Sequence, residues 1–464
     1  MITLADDGNS SSARVFSLKS KKTNKPEMCP MSDRRPNIVL IMSDDLGYEV
    51  IGCNGGTSYK TPVLDDMASD GSRFENAHVQ PLCTPTRVQL MTGKYNFRNY
   101  IGFGLMAPDE KTFGHIFSDA GYKTCISGKW QLYSYRFPEE EGAETRGTGQ
   151  KIEDAGFDEY CVWHAHHTEQ KGSRYKDPVI YQNGSYLTDT DGKLGDDIFA
   201  DYAIDFMERN KDEEFFIYFP MALTHRPFEP MLGDPEYDSF EPEPNKTLGA
   251  LSRDSDDWGD DPRHYKSMVE YHDKVIGRVN AKLHELGIAD NTLVIYVGDN
   301  GSPQEVCSIV HDHTEICGGK SLTLDRGTHV PLICSWPGTI ASGSVPKDLV
   351  DSSDFLPTIL DAAGITPPDD YFMDGRSFLP QLKGDEGNPR DWMFFHFDKN
   401  AEGENSPGFR RFVRGHRWKL YEDGLLYDTE TDPEELSPFR RDSDTNESAS
   451  ARSDLNPVFA RMVP

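Results

Sequence analysis

The sequence predicts an α/β fold: a large central, mostly parallel sheet flanked by helices, followed by a smaller C-terminal α+β part with an antiparallel sheet. Three observations predict it. Short uninterrupted apolar runs recur through most of the chain, amphipathic helical stretches separate them, and the pattern changes after about Ser377 to short strands punctuated by turns.

The apolar runs are residues 37–42 (NIVLIM), 215–219 (FFIYF), 293–297 (LVIYV) and 332–336 (LICSW), with 123–126 a weaker one. A run without polar alternation reads as a strand covered on both faces. Residues 265–286 form a helix, with Met268, Tyr271, Val275, Val279 and Leu283 on one face and Gly287 as its stop. A second helix, 354–363, stops at Gly364. Residues 229–262 and 139–150 are crowded with proline or charge and read as surface excursions. Beyond Ser377, short strands fall at 392–397, 412–414, 418–421 and 425–427. The Ser/Asp/Asn-rich stretch after about Asp442 reads as mobile. The expected organisation is a leader over 1–33, a catalytic domain over 34–377 and a smaller domain over 378–464.

Composition excludes several partners. Acidic residues number 78 against 48 basic ones, a net charge of −30, so nucleic acid and anionic membrane surfaces are not expected to bind. An anionic substrate would be repelled at long range, and its site must be locally positive. No run of about 18 apolar residues exists, so no membrane span is expected. The first 32 residues lack an apolar segment and do not read as a secretory signal. Eight cysteines in 464 residues do not make a disulfide scaffold. Cys307 and Cys317 are close enough to pair or to remain two thiols, and Cys29, Cys53, Cys125, Cys161 and Cys334 lack metal-ligand spacing.

In open α/β sheets ligands bind beyond the carboxyl ends of the strands. Asp44 and Asp45 follow the first run, Asp299 and Asn300 follow 293–297, Thr224 and His225 follow 215–219, and Gly128 and Lys129 follow 123–126. Asp44, Asp45, Asp299 and Asn300 offer only oxygen, which suits Ca²⁺ or Mg²⁺ rather than Zn²⁺. The alternative for each pair is a turn or cap motif. In 83–93 (CTPTRVQLMTG), Thr84 fits an N-cap, Pro85 a first helical position and Gly93 a stop. Cys83 then lies at a helix N-terminus with Arg87 one turn in. His164, His166 and His167 sit beside Trp163 in a loop-like stretch, where a sugar subsite and a plain surface loop both fit. His115 reads as structural.

Cys83-Thr84-Pro85-Thr86-Arg87 followed by Leu90-Met91-Thr92-Gly93 resembles the signature of the type I sulfatases, C-x-P-S-R-x-x-x-L-x-T-G. The resemblance continues through Asp44-Asp45-Leu46-Gly47, Gly128-Lys129-Trp130, Asp299-Asn300-Gly301, Asp354-Phe355-Leu356-Pro357-Thr358 and Leu426-Tyr427-Asp428. It implies an alkaline-phosphatase-like fold and a formylglycine made from Cys83 by a maturation enzyme. One hydroxyl of the hydrated aldehyde attacks sulfur. Asp44, Asp45, Asp299 and Asn300 are implied to hold Ca²⁺, with Mg²⁺ as the second choice. Arg87 is implied to bond the diol, Lys129 and Lys320 to contact sulfate, and His225 to protonate the leaving alcohol. The substrate expected is a sulfated small molecule or oligosaccharide, a carbohydrate by preference. Family habit implies the periplasm or the exterior.

The chain departs from the family pattern at three places. Thr86 replaces serine and keeps the hydroxyl. Gln131 stands where the family usually has a histidine that helps release sulfate, and an amide is no base near neutral pH. His311 and His313 are the candidates to replace it; Gln131 can also serve by orienting the diol. The stretch after Lys320 lacks the usual glycines. Two other functions compete: a phosphonate or phosphodiester hydrolase of the same superfamily, and a catalytically silent binder of sulfated glycans.

Overall fold

The structure, a computed structural model, describes residues 34–134, 143–166, 173–240, 262–311, 313–406 and 408–462. The expected leader, His167, residues 139–142 and residues 241–261 lie outside the described residues.

The strand Asn37–Ser43 lies inside a nine-stranded sheet, fourth in its order. Phe215–Pro220 and Thr292–Gly298 pair with it in parallel on either side, Lys123–Lys129 and then Glu159–Trp163 extend one flank, and the sheet's outer strands run antiparallel. Alternation within the continuous apolar run explains the two layers. Ile38, Leu40 and Met42 enter one core and Val39 and Ile41 the other. The first core is closed by the helices Cys83–Thr92, Phe113–Asp119 and Phe355–Ala363. The second is closed by Pro62–Asp70, Gly195–Asn210 and Tyr265–Glu285. Gly287 and Gly364 adopt positive φ (68° and 62°) and end their helices as expected. No helix among the described residues is long and apolar enough to cross a membrane.

Residues from Arg35 onward form one compact unit. Its C-terminal part carries a four-stranded antiparallel sheet, Met393–Phe397, Arg410–Arg414, Trp418–Tyr421 and Leu426–Asp428. The tail read as mobile is instead the helix Asn446–Arg461. Thr445 caps it through the Ser448 amide, and Ala451, Leu455 and Val458 pack against Phe394, Val413 and Leu420. Serine-rich composition hid an apolar face at i, i+4, i+7 spacing.

Cys307 and Cys317 face each other across the hairpin Cys307–Val310/Thr314–Cys317 and are joined as a disulfide. Gly318 and Lys320 follow, bonded back to Val306 and Ser302.

Candidate active site

The four strand ends converge as the topology requires. Asp44 sits at the end of the strand Asn37–Ser43, fully buried, its amide bonded to the Leu223 carbonyl and its own carbonyl to the Thr224 amide. Asp45 adopts φ 64°. Its amide donates to Asp299 Oδ1 at 3.0 Å. Asn300 Nδ2 donates to Asp45 Oδ1 at 2.9 Å. Lys129 Nζ lies 2.7 Å from Asp44 Oδ2, and Lys320 Nζ 2.5 Å from Asp45 Oδ2. Arg87 donates from Nε and Nη2 to Asp299 Oδ2 at 3.1 and 2.8 Å. Three carboxylates thus meet three cations below the surface.

Cys83 is 2 % exposed. One ligand atom each of Asp44, Cys83 and Asp299 fall within 4.8 Å of one another, and the same is true of Asp44, Asp45 and His225. The helix begins at Cys83 itself, with Leu82 as its N-cap residue. Thr84 is therefore not the cap. Its hydroxyl accepts from the Gly104 amide at 3.0 Å, a tertiary contact that local sequence does not reveal. Gly93 ends the helix at φ 66°, as expected. Gln80, Gln89 and Asp351 form a buried chain of bonds that fixes the helix to the Ser352–Asp354 turn.

Electrostatics separate the carboxylates. Burial pushes the Asp44 carboxyl up, but Lys129, His225, Arg87 and Lys320 outweigh it and hold Asp44 well below the usual range. Burial and the neighbouring Asp44 push Asp299 up to about 7, against Arg87. Burial also raises the Cys83 thiol, with Lys129 opposing. Burial and Lys320 hold the His225 imidazole well below its usual value. His225 Nδ1 lies 2.6 Å from the Arg226 carbonyl oxygen, which can only accept, so Nδ1 carries a proton. Nε2, 3.7 Å from Asp45 Oδ2, is then protonated only in the imidazolium.

The donor set fits a hard divalent cation. Asp44 Oδ1 and Asn300 Oδ1 are buried oxygens without a hydrogen-bond partner. Such orphans in a native interior call for a ligand, and four oxygen-bearing side chains at one point suit Ca²⁺ or Mg²⁺.

The histidines outside this cluster divide. Gln131, at φ 51°, donates its amide to the His164 carbonyl at 3.2 Å, so the neighbouring strand end sets His164 beside Gln131. His164 is buried and packs on Trp163. His311 and His313 sit at the turn of the hairpin Cys307–Val310/Thr314–Cys317. The hairpin tip packs on Gly55, with the His311 amide bonded to the Gly55 carbonyl at 2.9 Å, and neither histidine has a hydrogen bond or ion pair to the carboxylate cluster among the described residues. His166 bonds Glu153 at 2.9 Å and packs between Tyr133 and Tyr181. His115 completes a capping box with Thr112, a structural role. Sequence reading placed Thr224 at a strand end without giving it a role, and it overlooked Tyr265. The Thr224 hydroxyl and the Tyr265 hydroxyl both donate to the Asp45 carbonyl, at 3.2 and 3.0 Å. Thr224 followed a recognised strand; Tyr265, 220 residues from Asp45, gave no local signal.

A buried carboxylate set at the strand ends, a cysteine at a helix start and three cations, Lys129 from a strand end, Arg87 from the helix and Lys320 from the loop after the hairpin, sit on an alkaline-phosphatase-like fold. A family profile described as "Sulfatase" matches residues 36–365, and a second, "N-sulphoglucosamine sulphohydrolase, C-terminal", matches 319–456. The chain belongs to the sulfatase family, and it is a sulfuric ester hydrolase. It is 25% identical to an N-acetylglucosamine-6-O-sulfatase of Bacteroides thetaiotaomicron, over 87% of this chain and 82% of that one. It is 29% identical to the N-acetylgalactosamine-6-sulfatase of Homo sapiens, over 78% and 68%. A solved sulfatase-like chain, described as a complex with its substrate D-glucosamine-2-N,6-O-disulfate, superposes with a TM-score of 0.70 at 24% identity, over 92% of this chain and 97% of that one. The phosphonate monoester hydrolase of Agrobacterium radiobacter superposes with a TM-score of 0.65 at 21% identity, over 92% and 95%; both likenesses show the fold.

Proposed function

We propose that the protein hydrolyses a sulfate monoester on a carbohydrate, with formylglycine at position 83 and Ca²⁺ held by Asp44, Asp45, Asp299 and Asn300. The observation that carries this reading is the meeting of Cys83 with Asp44 and Asp299 within 4.8 Å, ringed by Arg87, Lys129 and Lys320, in a chain of net charge −30. A locally cationic site is what an anionic ester needs on an acidic protein. Two relatives named as hexosamine 6-sulfatases support a sugar ester.

When bound, the cation would neutralise charge on the sulfuryl group, and water added to the aldehyde would give the diol whose hydroxyl is the nucleophile. The chain's own residues do the rest. Arg87 opposes the burial that raises the Asp299 carboxyl and keeps Nη1, which has no hydrogen-bond partner, for a ligand oxygen. Lys129 and Lys320 bind sulfate oxygens. His225, as imidazolium, delivers its Nε2 proton to the leaving alcohol. Gln131 has no basic nitrogen, so it orients rather than takes a proton.

Mass spectrometry of the tryptic Cys83 peptide from a maturase-competent host tests the reading. Loss of the thiol with gain of an aldehyde is expected. The matured protein should then turn over 6-O-sulfated N-acetylhexosamines, and Cys83→Ala should lose on the order of 10⁵-fold in kcat. An unmodified thiol in that host, or faster turnover of a phosphonate monoester than of any sulfate ester, would overturn it.

A further inference from the structure

Trp163 ends its strand as the registered neighbour of Lys129, and the Trp130 amide bonds its carbonyl at 3.0 Å. Its indole is buried, and the guanidinium of Arg174 covers the ring at 4.2 Å from the centroid. The next residue, Tyr175, donates its hydroxyl to the carbonyls of Ala222, at 3.0 Å, and of His225. Arg174 is therefore fixed between the strand end that bears Lys129 and the loop that bears His225.

The guanidinium of Arg174 has donors to spare. It is partly exposed and makes no hydrogen bond or ion pair among the described residues. The chain carries 78 carboxylates, and the arginine of the carboxylate cluster, Arg87, is bonded to one. Stacking on an indole holds the guanidinium plane while leaving its in-plane N–H donors open. That fork matches the geometry of a carboxylate or sulfate. The buried Glu229, four residues after His225, lies within its electrostatic reach, but no hydrogen bond joins them, and burial pushes Glu229 up to about 7. Glu229 therefore neutralises Arg174 only in part at neutral pH.

We propose that Arg174 is a specificity-determining residue that receives a second anionic group of the substrate, a sulfate or a carboxylate borne near the ester that is cleaved. This rests on the sulfate-ester reading above. The sulfuryl group occupies the Lys129/Lys320 cluster. Arg174 lies to the His225 side, where the leaving sugar must extend if His225 protonates it.

The test uses the matured protein and three substrates: an N-acetylhexosamine monosulfate, the same sugar with a second sulfate, and a disaccharide joining the monosulfated sugar to a uronic acid. Arg174→Gln is expected to lower kcat/KM on one of the two dianionic substrates by about 10- to 100-fold, chiefly through KM, and on the monosulfate by less than about threefold. The substrate that suffers identifies the anion. Arg174→Lys should recover part of the loss, since charge returns without the fork. Equal losses on all three, or none on any, would overturn the proposal. Calorimetric binding of the same three compounds to Cys83→Ala, with and without Arg174→Gln, reads the preference without turnover. If no sulfate ester is hydrolysed at all, the functional reading fails, and this binding difference still decides the role of Arg174.

Discussion

The segment between Lys320 and Thr328 touches two buried ion-pair clusters built from the same residue types but wired differently. At the strand ends, Asp44 Oδ1, Asn300 Oδ1 and Arg87 Nη1 have no hydrogen-bond partner. A few residues along, Arg414 binds Asp325 at 2.7 Å, Lys419 binds Glu435 at 2.6 Å, and the Tyr421 hydroxyl bridges Glu435 at 2.6 Å and Thr323 at 3.0 Å. The second cluster closes on itself and joins the C-terminal sheet to the loop that presents Lys320. The first stays open. A closed buried network specifies packing; an open one waits for ions and ligands to complete it.

Substitutions can break that contrast. In the open cluster, Asp44→Asn or Asp299→Asn should lower kcat at least about 10³-fold while the protein still folds, read by activity beside circular dichroism. In the closed cluster, Arg414→Met should cost about 1–3 kcal/mol in urea unfolding, because it leaves the part-buried Asp325 with only Lys419, at 4.0 Å, as a cationic partner among the described residues. A comparable stability loss from Lys320→Met would erase the distinction. That variant is expected mainly to raise KM, roughly tenfold, since Asn300 still serves Asp45. Chelation should lower Tm reversibly. Restoring Ca²⁺ at about 100 times its Kd should return about 2.7 kcal/mol, and Arg414→Met should not abolish that gain.

His225 sharpens the comparison through pH. Its pKa is lowered and the reactive form is the imidazolium, so kcat/KM should fall as pH rises above that low value. Bound anionic sulfate favours the charged form, so the same limb in kcat should lie at higher pH. His225→Gln should remove the limb and cost about 100-fold on an alkyl sulfate, less on an aryl sulfate with a good leaving group. A limb unchanged by the substitution would reject His225 as the acid. The smallest effects concern Gln131. His164→Ala should slow steady turnover by several-fold, whereas His311→Ala should leave it within about twofold, because the hairpin turn holds its imidazole against Gly55.

Much of this was legible because it is written locally. A strand buried on both faces cannot hide its apolar run, and the polar residues after 37–42, 123–126, 215–219 and 293–297 could only meet at one edge. Asp44, Asp45, Asp299, Asn300, Lys129 and His225 were found that way, and Cys83 and Arg87 through their motif. Contacts distant in sequence were not legible. The Thr84 hydroxyl serves Gly104, Tyr265 reaches back to Asp45, and Trp163 meets Arg174, eleven residues further on. The terminal helix was missed because serine and asparagine outnumber the few apolar residues that dock it.

The position of the first strand also governs how the molecule is assembled. Ile38 lies beside Phe216 on one side and Leu293 on the other. The chain must therefore emerge beyond Gly298 before its earliest strand has both neighbours, which makes closure of the sheet slow and strongly non-local. Until then Asp44 and Asp45 lack Asp299 and Asn300, and a chain truncated near residue 290 should be digested rapidly by protease across 37–43, where the full-length protein resists.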